Sequence, residues 1–407
     1  MSIVSFKKDS PGDIIYINDT PYAIDTSYDK LFKAGDRGDH IKLMGYISGN
    51  LYRLINDTLV KVRGGNVIDS VKGVQAALLY SSEAGYCIFI KNERVHHYFD
   101  NTGNIHSSDA PIVNGTITRA FHSTSGKNVI LETSNNKLYF FYLESANQVY
   151  ELPGSKCYLY KQYTSHFTDH DKSKYILLTD KGLYGLKYHK HVPGIAHFPI
   201  ERGNKKSLND DIDLYELPLP DNVPPEHIKD IDTGYKYDTL FVLTNDGEVY
   251  SLGKNTYYQR GTTKRLNPHE WTKIKYPEPI KQIYAAHFPG LFAVSESGNL
   301  YYHGYNEGAY YYEFTGRASN VSRPLKIAEN VDSMFSLFSK IYGGGPKVDD
   351  CFCYFDEQGV PRIIGGEDFL KTNSVKNYDF IYRLYQSIAS SLIHTAPLIR
   401  TVLEHTC

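Results

Sequence analysis

The chain has one tryptophan, three methionines and five cysteines in 407 residues, and each scarcity removes a class of protein. Cys87, Cys157, Cys351, Cys353 and Cys407 are odd in number and form no paired C-x-x-C spacing. That argues against a disulfide framework and for reduced, buried thiols. No apolar run reaches the length of a membrane-spanning helix, and the opening MSIVSFKKDS carries charge where a signal peptide keeps its apolar core. A cytoplasmic or nuclear location is the expectation. With 44 Lys+Arg against 46 Asp+Glu, the net charge is −2, too even for a broad nucleic-acid face.

Catalytic signatures are missing as well. The sequence holds no G-x-x-x-x-G-K-[ST], no H-E-x-x-H and no G-x-S-x-G, and no G-x-G-x-x-G opens a helix after a strand. His166 and His170 flank Asp169 and Asp171, and His189, His191 and His197 cluster further on. Metal binding needs ligands converging on one point, and loop histidines facing solvent are the simpler reading. Cys351-x-Cys353 puts two thiols on one strand face with no second pair. No enzyme activity, cofactor or metal is expected.

Tyrosine is what the chain has in abundance, 36 of 407 residues, a residue suited to half-buried strands. The stretch LFVLTNDGEVYSLGKNTYYQRG from Leu240 to Gly261 explains much of it. An apolar run ends at Asn245-Asp246-Gly247, where a hairpin turn needs φ > 0, and an alternating strand then runs to Gly253. The unit recurs in LFAVSESGNLYYHGYN, with Gly298, Tyr301, Gly304 and Asn306 on the positions of Gly247, Tyr250, Gly253 and Asn255. Gly359 and Gly365 repeat the same glycine spacing. Gly182 with Tyr184, and Asn136 with Tyr139, mark two earlier copies. Fainter ones lie around Val95 and at Gly49, Leu51 and Tyr52. Seven hairpins spaced by roughly 43 to 66 residues are a propeller signature.

LTNDGEVYSLGKNTYYQRG resembles the repeat of the regulator of chromosome condensation family: Leu243, Thr244, Gly247, Val249, Tyr250, Ser251, Gly253, Asn255, Gln259 and Gly261 match the pattern. Leu252 stands for its tryptophan, Tyr258 for a glycine and Arg260 for its leucine. Gly234 and Asp238 lie near the glycine and histidine of the family's preceding segment. The resemblance implies an all-β, seven-bladed β-propeller. It also implies one of two roles, a scaffold that binds a protein partner or an exchange factor for a Ran-type small GTPase. A small-ligand propeller is a third possibility without support in the residues.

The expected domain is a propeller over 1–367. Residues 13–24 read as a strand pair closing the ring, with an eighth blade or a loose extension as alternatives. Residues 188–226 contain six prolines and cannot be a central strand throughout. They read as a loop insertion on one face, either a partner contact or a tolerated surface excursion. Over 374–407 the period turns helical, with Ser374 as N-cap and Pro397 ending or kinking the helix. This helical tail either packs on the propeller or begins a further module.

Overall fold

The computed structural model describes residues 4–5, 14–25, 30–47, 49–80, 86–99, 105–108, 111–122, 128–142, 149–163, 174–188, 204–208, 212–233, 239–285, 289–306, 319–336, 352–356 and 361–364. The expected helical tail, Gly359, Gly365, Cys351, Cys407 and the five loop histidines lie outside them.

Among the described residues, eight antiparallel sheets follow one another along the chain. The first holds β1 (Val4–Ser5), β2 (Ile14–Ile17), β3 (Thr20–Asp25) and β4 (Lys30–Lys33). The second holds β5 (Ile41–Ile47), β6 (Asn50–Ile55), β7 (Thr58–Arg63) and β8 (Asn66–Lys72), and the third β9 (Ala76–Tyr80), β10 (Tyr86–Lys91), β11 (Arg94–Phe99) and β12 (Ile105–Ser107). In the fourth are β13 (Ile117–His122), β14 (Asn128–Thr133), β15 (Leu138–Tyr142) and β16 (Val149–Leu152). The fifth comprises β17 (Cys157–Tyr163), β18 (Lys174–Thr179), β19 (Gly182–Tyr188), β20 (Asn204–Ser207) and β21 (Ile212–Leu217). The sixth has β22 (Ile228–Thr233), β23 (Thr239–Thr244), β24 (Val249–Gly253) and β25 (Thr272–Ile274). Then come β26 (Ile280–Ala285), β27 (Gly290–Ser295), β28 (Leu300–Gly304) and β29 (Val321–Ala328) in the seventh, and β30 (Val331–Ser336), β31 (Phe352–Asp356) and β32 (Pro361–Ile364) in the eighth.

First strands of neighbouring sheets touch at β5–β9, β9–β13, β17–β22, β22–β26 and β26–β30, β14 meets β17, Ile14 and Tyr16 of the first sheet pack on Ile41 of the second, and β1 meets β30, so the sheets radiate from an axis and the ring closes on itself. This is a β-propeller. The expectation of seven blades is corrected to eight, because β1–β4 form a sheet of their own and do not complete the last one. The hairpin at Asn18-Asp19 (φ 49° and 62°) is thus the middle turn of a separate blade.

Each blade is buried on both faces, which explains its second strand. In β23, Leu240 and Val242 pack with Leu159, Ile176 and Leu217 of the fifth sheet, while Phe241 and Leu243 pack with Ile280, Leu291 and Ala293 of the seventh. A strand covered on both sides reads as a continuous apolar run, and β14, β23 and β27 are buried along their whole length.

At one end of the ring a single device recurs. In five blades the residue opening the middle turn donates its N–H to the carbonyl just before the blade's own first strand: Asn56 to His40, Ser134 to Thr116, Asp180 to Lys156, Asn245 to His227 and Glu296 to Pro279. The turn then accepts from the next blade: Val74 to Asp57, Ile112 to Glu93, Ile280 to Gly247 and Val331 to Gly298. First strands start with a buried apolar residue followed by a bulge at Ile41, Ile117, Cys157, Ile228, Ile280 and Val331. The bulge re-aims the strand where it enters the inner ring.

Candidate binding face and its buttressed loop

Strand alternation sends the second-to-third turns to the hydrogen-bonded end just described. The first-to-second and third-to-fourth connections emerge at the other end. Among the described residues the longest of these is the β24–β25 loop, 254–271, which follows the best-matching repeat.

Arg260 organises this loop. Its side chain is fully buried and reaches no carboxylate. Instead Nη1 donates to the carbonyls of Gly253 and Asn267 (both 2.9 Å), Nη2 to those of Ser251 (3.1 Å) and Glu270 (2.7 Å) and to Thr272 Oγ1 (2.7 Å), and Nε to Ser251 Oγ (3.3 Å). Burial lowers its pKa to about 10, with Glu270 acting weakly the other way. Five donors in a planar fork suit this job, since they collect carbonyls from both limbs of the loop at once.

Asn255 closes the near limb. Its Oδ1 accepts from Arg260 N (2.9 Å), and its Nδ2 donates to the carbonyls of Thr262 (2.9 Å) and Lys264 (3.2 Å). Gln259 Oε1 accepts from Tyr257 N (2.8 Å). Tyr258, at φ 61°, takes a left-handed conformation that L side chains enter at a cost, and the family's glycine would enter it freely. Neighbouring blades hold the loop from both sides: Tyr257 meets Tyr305 of the seventh blade edge-on with centroids 5.2 Å apart, and Trp271 Nε1 donates to the carbonyl of Pro218, past the end of the fifth sheet, at 2.9 Å. Beneath it His303 is buried, its Nε2 2.9 Å from Tyr276 Oη, and burial drives its pKa down to about 3, so it stays neutral.

Around the axis, inner strands are cross-linked by side chains. Lys161 of β17 pairs with Asp230 of β22 at 2.7 Å, Asp232 accepts from Ala285 N at 2.8 Å, and Gln282 of β26 exchanges two hydrogen bonds with the backbone of Met334 on β30. Lys161 keeps 41% of its side chain exposed. Burial works against its charge, but Asp230 and Asp232 outweigh it and hold the ammonium pKa above its usual value. His122 Nε2 accepts from Ala77 N (3.1 Å) between the fourth and third sheets. These links join blades, and among the described residues no group of three or more His, Cys, Asp or Glu converges as a metal site.

The sequence markers land as follows. Gly247 and Gly298, at positive φ, and Asn136 (φ 60°) occupy middle turns, and Gly182 opens a third strand directly after one. Tyr139, Tyr184, Tyr250 and Tyr301 lie on third strands. Gly253 and Gly304 end third strands, and a Cβ on Gly304 would come within 2.4 Å of Gly290 Cα. Asn306 is buried and donates its N–H to Asn320 Oδ1 at 2.7 Å. One marker is displaced. Gly49 joins β5 to β6, the first hairpin of its blade, and Tyr52 lies on the second strand. The middle turn there is at Asn56 (φ 55°).

The 188–226 insertion is also corrected for its described part. It supplies β20 and β21, the outer strands of the fifth sheet, with β21 paired to β19 and β20 at the edge. Cys87 and Cys157 are buried as expected, and no helix among the described residues is long and apolar enough to cross a membrane.

The fold therefore defines a β-propeller with a braced loop on the end opposite its middle turns. No sequence-family description matches the chain, and no curated protein does. Solved structures similar to it include yeast RCC1 (Prp20) bound to Kap60, at 13% identity over 72% of this chain and 77% of that one with a TM-score of 0.39. Prp20p from Saccharomyces cerevisiae is similar at 12% identity over 82% and 90%, TM-score 0.40. Human WBSCR16 is similar at 10% over 78% and 87%, TM-score 0.36.

Proposed function

We propose that the chain is a non-enzymatic scaffold that binds a protein partner on the end of the propeller carrying the β24–β25 loop. The observation that carries this is the bracing of 254–271 by Arg260, Asn255, the Tyr257–Tyr305 contact and the Trp271–Pro218 hydrogen bond. A surface loop ordered in advance spares a partner the entropy of ordering it, which is how rigid binding surfaces gain affinity. A photo-crosslinker placed at Thr263 of the full-length chain, compared with one at Ser70 on the outer rim, tests the reading in a cell lysate. A discrete adduct from Thr263 alone is the expected result, and adducts from neither position would overturn it.

The partner could belong to the small GTPases, as the repeat resemblance implies. Exchange needs no proton donor or nucleophile, only tighter binding to the nucleotide-free GTPase. Accelerated release of labelled guanine nucleotide from Ran by the full-length chain would replace the scaffold reading with that of an exchange factor.

A further inference from the structure

The braced loop carries an unusual charge pattern. Between Glu248 and Glu270 the chain has no acidic residue but contains Lys254, Arg260, Lys264 and Arg265, in a protein whose net charge is −2. Arg260 is spent internally. The other three are exposed, and the bond from Asn255 Nδ2 to the Lys264 carbonyl (3.2 Å) ties the backbone that carries Lys264 and Arg265 back to the residue after Lys254. Lys264 and Arg265 form no ion pair among the described residues. By contrast, Lys273, on the strand that follows, is paired with Glu248.

Three costs thus coincide in one connection. A guanidinium is buried without a carboxylate, a tyrosine is held at positive φ, and three exposed cations share a stretch with no acidic residue among them. None of them adds a strand to the sheet. Local rules broken together in this way mark a functional site more often than a structural one.

We infer that the 254–265 limb of the β24–β25 loop is a docking surface for an acidic polypeptide segment, a run of Asp and Glu side chains on a protein partner. This rests on the scaffold reading above and names the chemistry of what it binds. Lys264 and Arg265 supply charge-assisted hydrogen bonds to carboxylates, Arg265 in a bidentate fork. Tyr257 and Tyr258, both half-buried, lie on the same limb of the loop. Nucleic acid fits less well, since three cations on one short loop cannot follow a phosphate backbone for any distance.

The experiment measures fluorescence anisotropy of a labelled Asp/Glu-rich peptide titrated with the full-length chain, with duplex DNA and inorganic phosphate as comparison probes. Peptide binding that weakens between about 50 mM and about 300 mM salt is expected. Lys264→Glu with Arg265→Glu should reduce affinity by roughly tenfold or more, while Lys72→Glu on the outer rim leaves it unchanged. No peptide binding, tighter binding to DNA than to peptide, or equal loss from Lys72→Glu would overturn the assignment. If the Thr263 adduct persists in the Lys264→Glu/Arg265→Glu chain, acidic recognition fails alone and the scaffold stands. Loss of the adduct together with peptide binding supports both.

Discussion

Gly247 and Gly49 separate two reasons for a glycine. Both sit at φ +79°, yet a Cβ on Gly49 would meet nothing within 4 Å, whereas one on Gly247 would lie 2.7 Å from Pro279 Cβ and 2.8 Å from the Ile280 nitrogen. Gly49→Ala should therefore cost only the left-handed penalty, about 1 kcal/mol. Gly247→Ala should cost that plus the overlap with the next blade, about 3 kcal/mol in all. Urea unfolding of the two variants checks this, and equal losses would mean that the Gly247 turn does not press on Pro279. Arg260 poses a similar question of geometry. Arg260→Met removes the donor to the Gly253 carbonyl, next to the buried Ser251, and should lose about 2–4 kcal/mol. Arg260→Lys, a point charge without the fork, should recover less than half of that. Full recovery by lysine in the same unfolding assay would show that charge alone holds the loop. The sequence comparison marked Arg260 only as a mismatch to leucine. That one guanidinium satisfies both limbs of an 18-residue loop was visible only once residues nine to twelve positions apart were brought within hydrogen-bond distance.

At the scale of elements, the link between the sixth and seventh blades contains a pH-sensitive tie. Glu278 accepts from Asn299 Nδ2 (2.7 Å), Tyr301 Oη (2.5 Å) and Ser297 Oγ. Burial opposes its ionisation, but hydrogen bonds from Ser297, Tyr301 and Asn299 outweigh that and lower its pKa to about 2, from a usual 4.5. The folded value lies below the unfolded one, so the stabilisation is complete above the unfolded pKa and disappears as pH falls from about 4.5 to about 2. After allowance for solvent at this half-buried site it amounts to about 1–3 kcal/mol. Glu278→Gln should flatten that part of the stability–pH curve and leave the rest parallel to wild type, as measured by denaturant midpoints across pH. An unchanged acid limb would remove Glu278 as its source. Strand identity itself was legible at this scale. Leu240–Thr244 and Leu291–Ser295 were readable as buried strands from their unbroken apolar runs. Which hairpin of a blade a faint copy represented was not, because left-handed turns recur in more than one connection: Gly49 in a first hairpin and Asn56 in the middle one have the same local chemistry.

For the whole molecule, the eighth blade is the element on which closure depends. Ile14, Tyr16 and Ala34 bury Ile41 and pack beside Met44 and Ile55 of the second blade, and β1 contacts β30. Removing residues 1–36 should expose both flanks of the gap, lower the melting temperature by roughly 10 °C or more and broaden the transition as the ring opens. Calorimetry of the full and shortened chains tests this. An unchanged, equally sharp transition would mean that the first sheet is an appendage and seven blades close without it.

By itself the amino-acid order determined the local pieces: apolar runs that must be covered on two faces, turns that need a left-handed residue, and a tyrosine and glycine rhythm at the best-preserved repeats. It also pointed to a propeller, since such hairpins recurring at near-constant spacing have few other ways to cover every face. The count of blades, the place of the 204–217 strands at a sheet edge and the bracing of the β24–β25 loop were decided only in three dimensions. The first four blades carry asparagine, not glycine, at the middle turn (Asn18, Asn56, Asn92 and Asn136), so the clearest sequence marker was absent from half the ring. Closure, edge pairing and the reach of Arg260 depend on residues far apart in the chain, and a local pattern does not encode such distances.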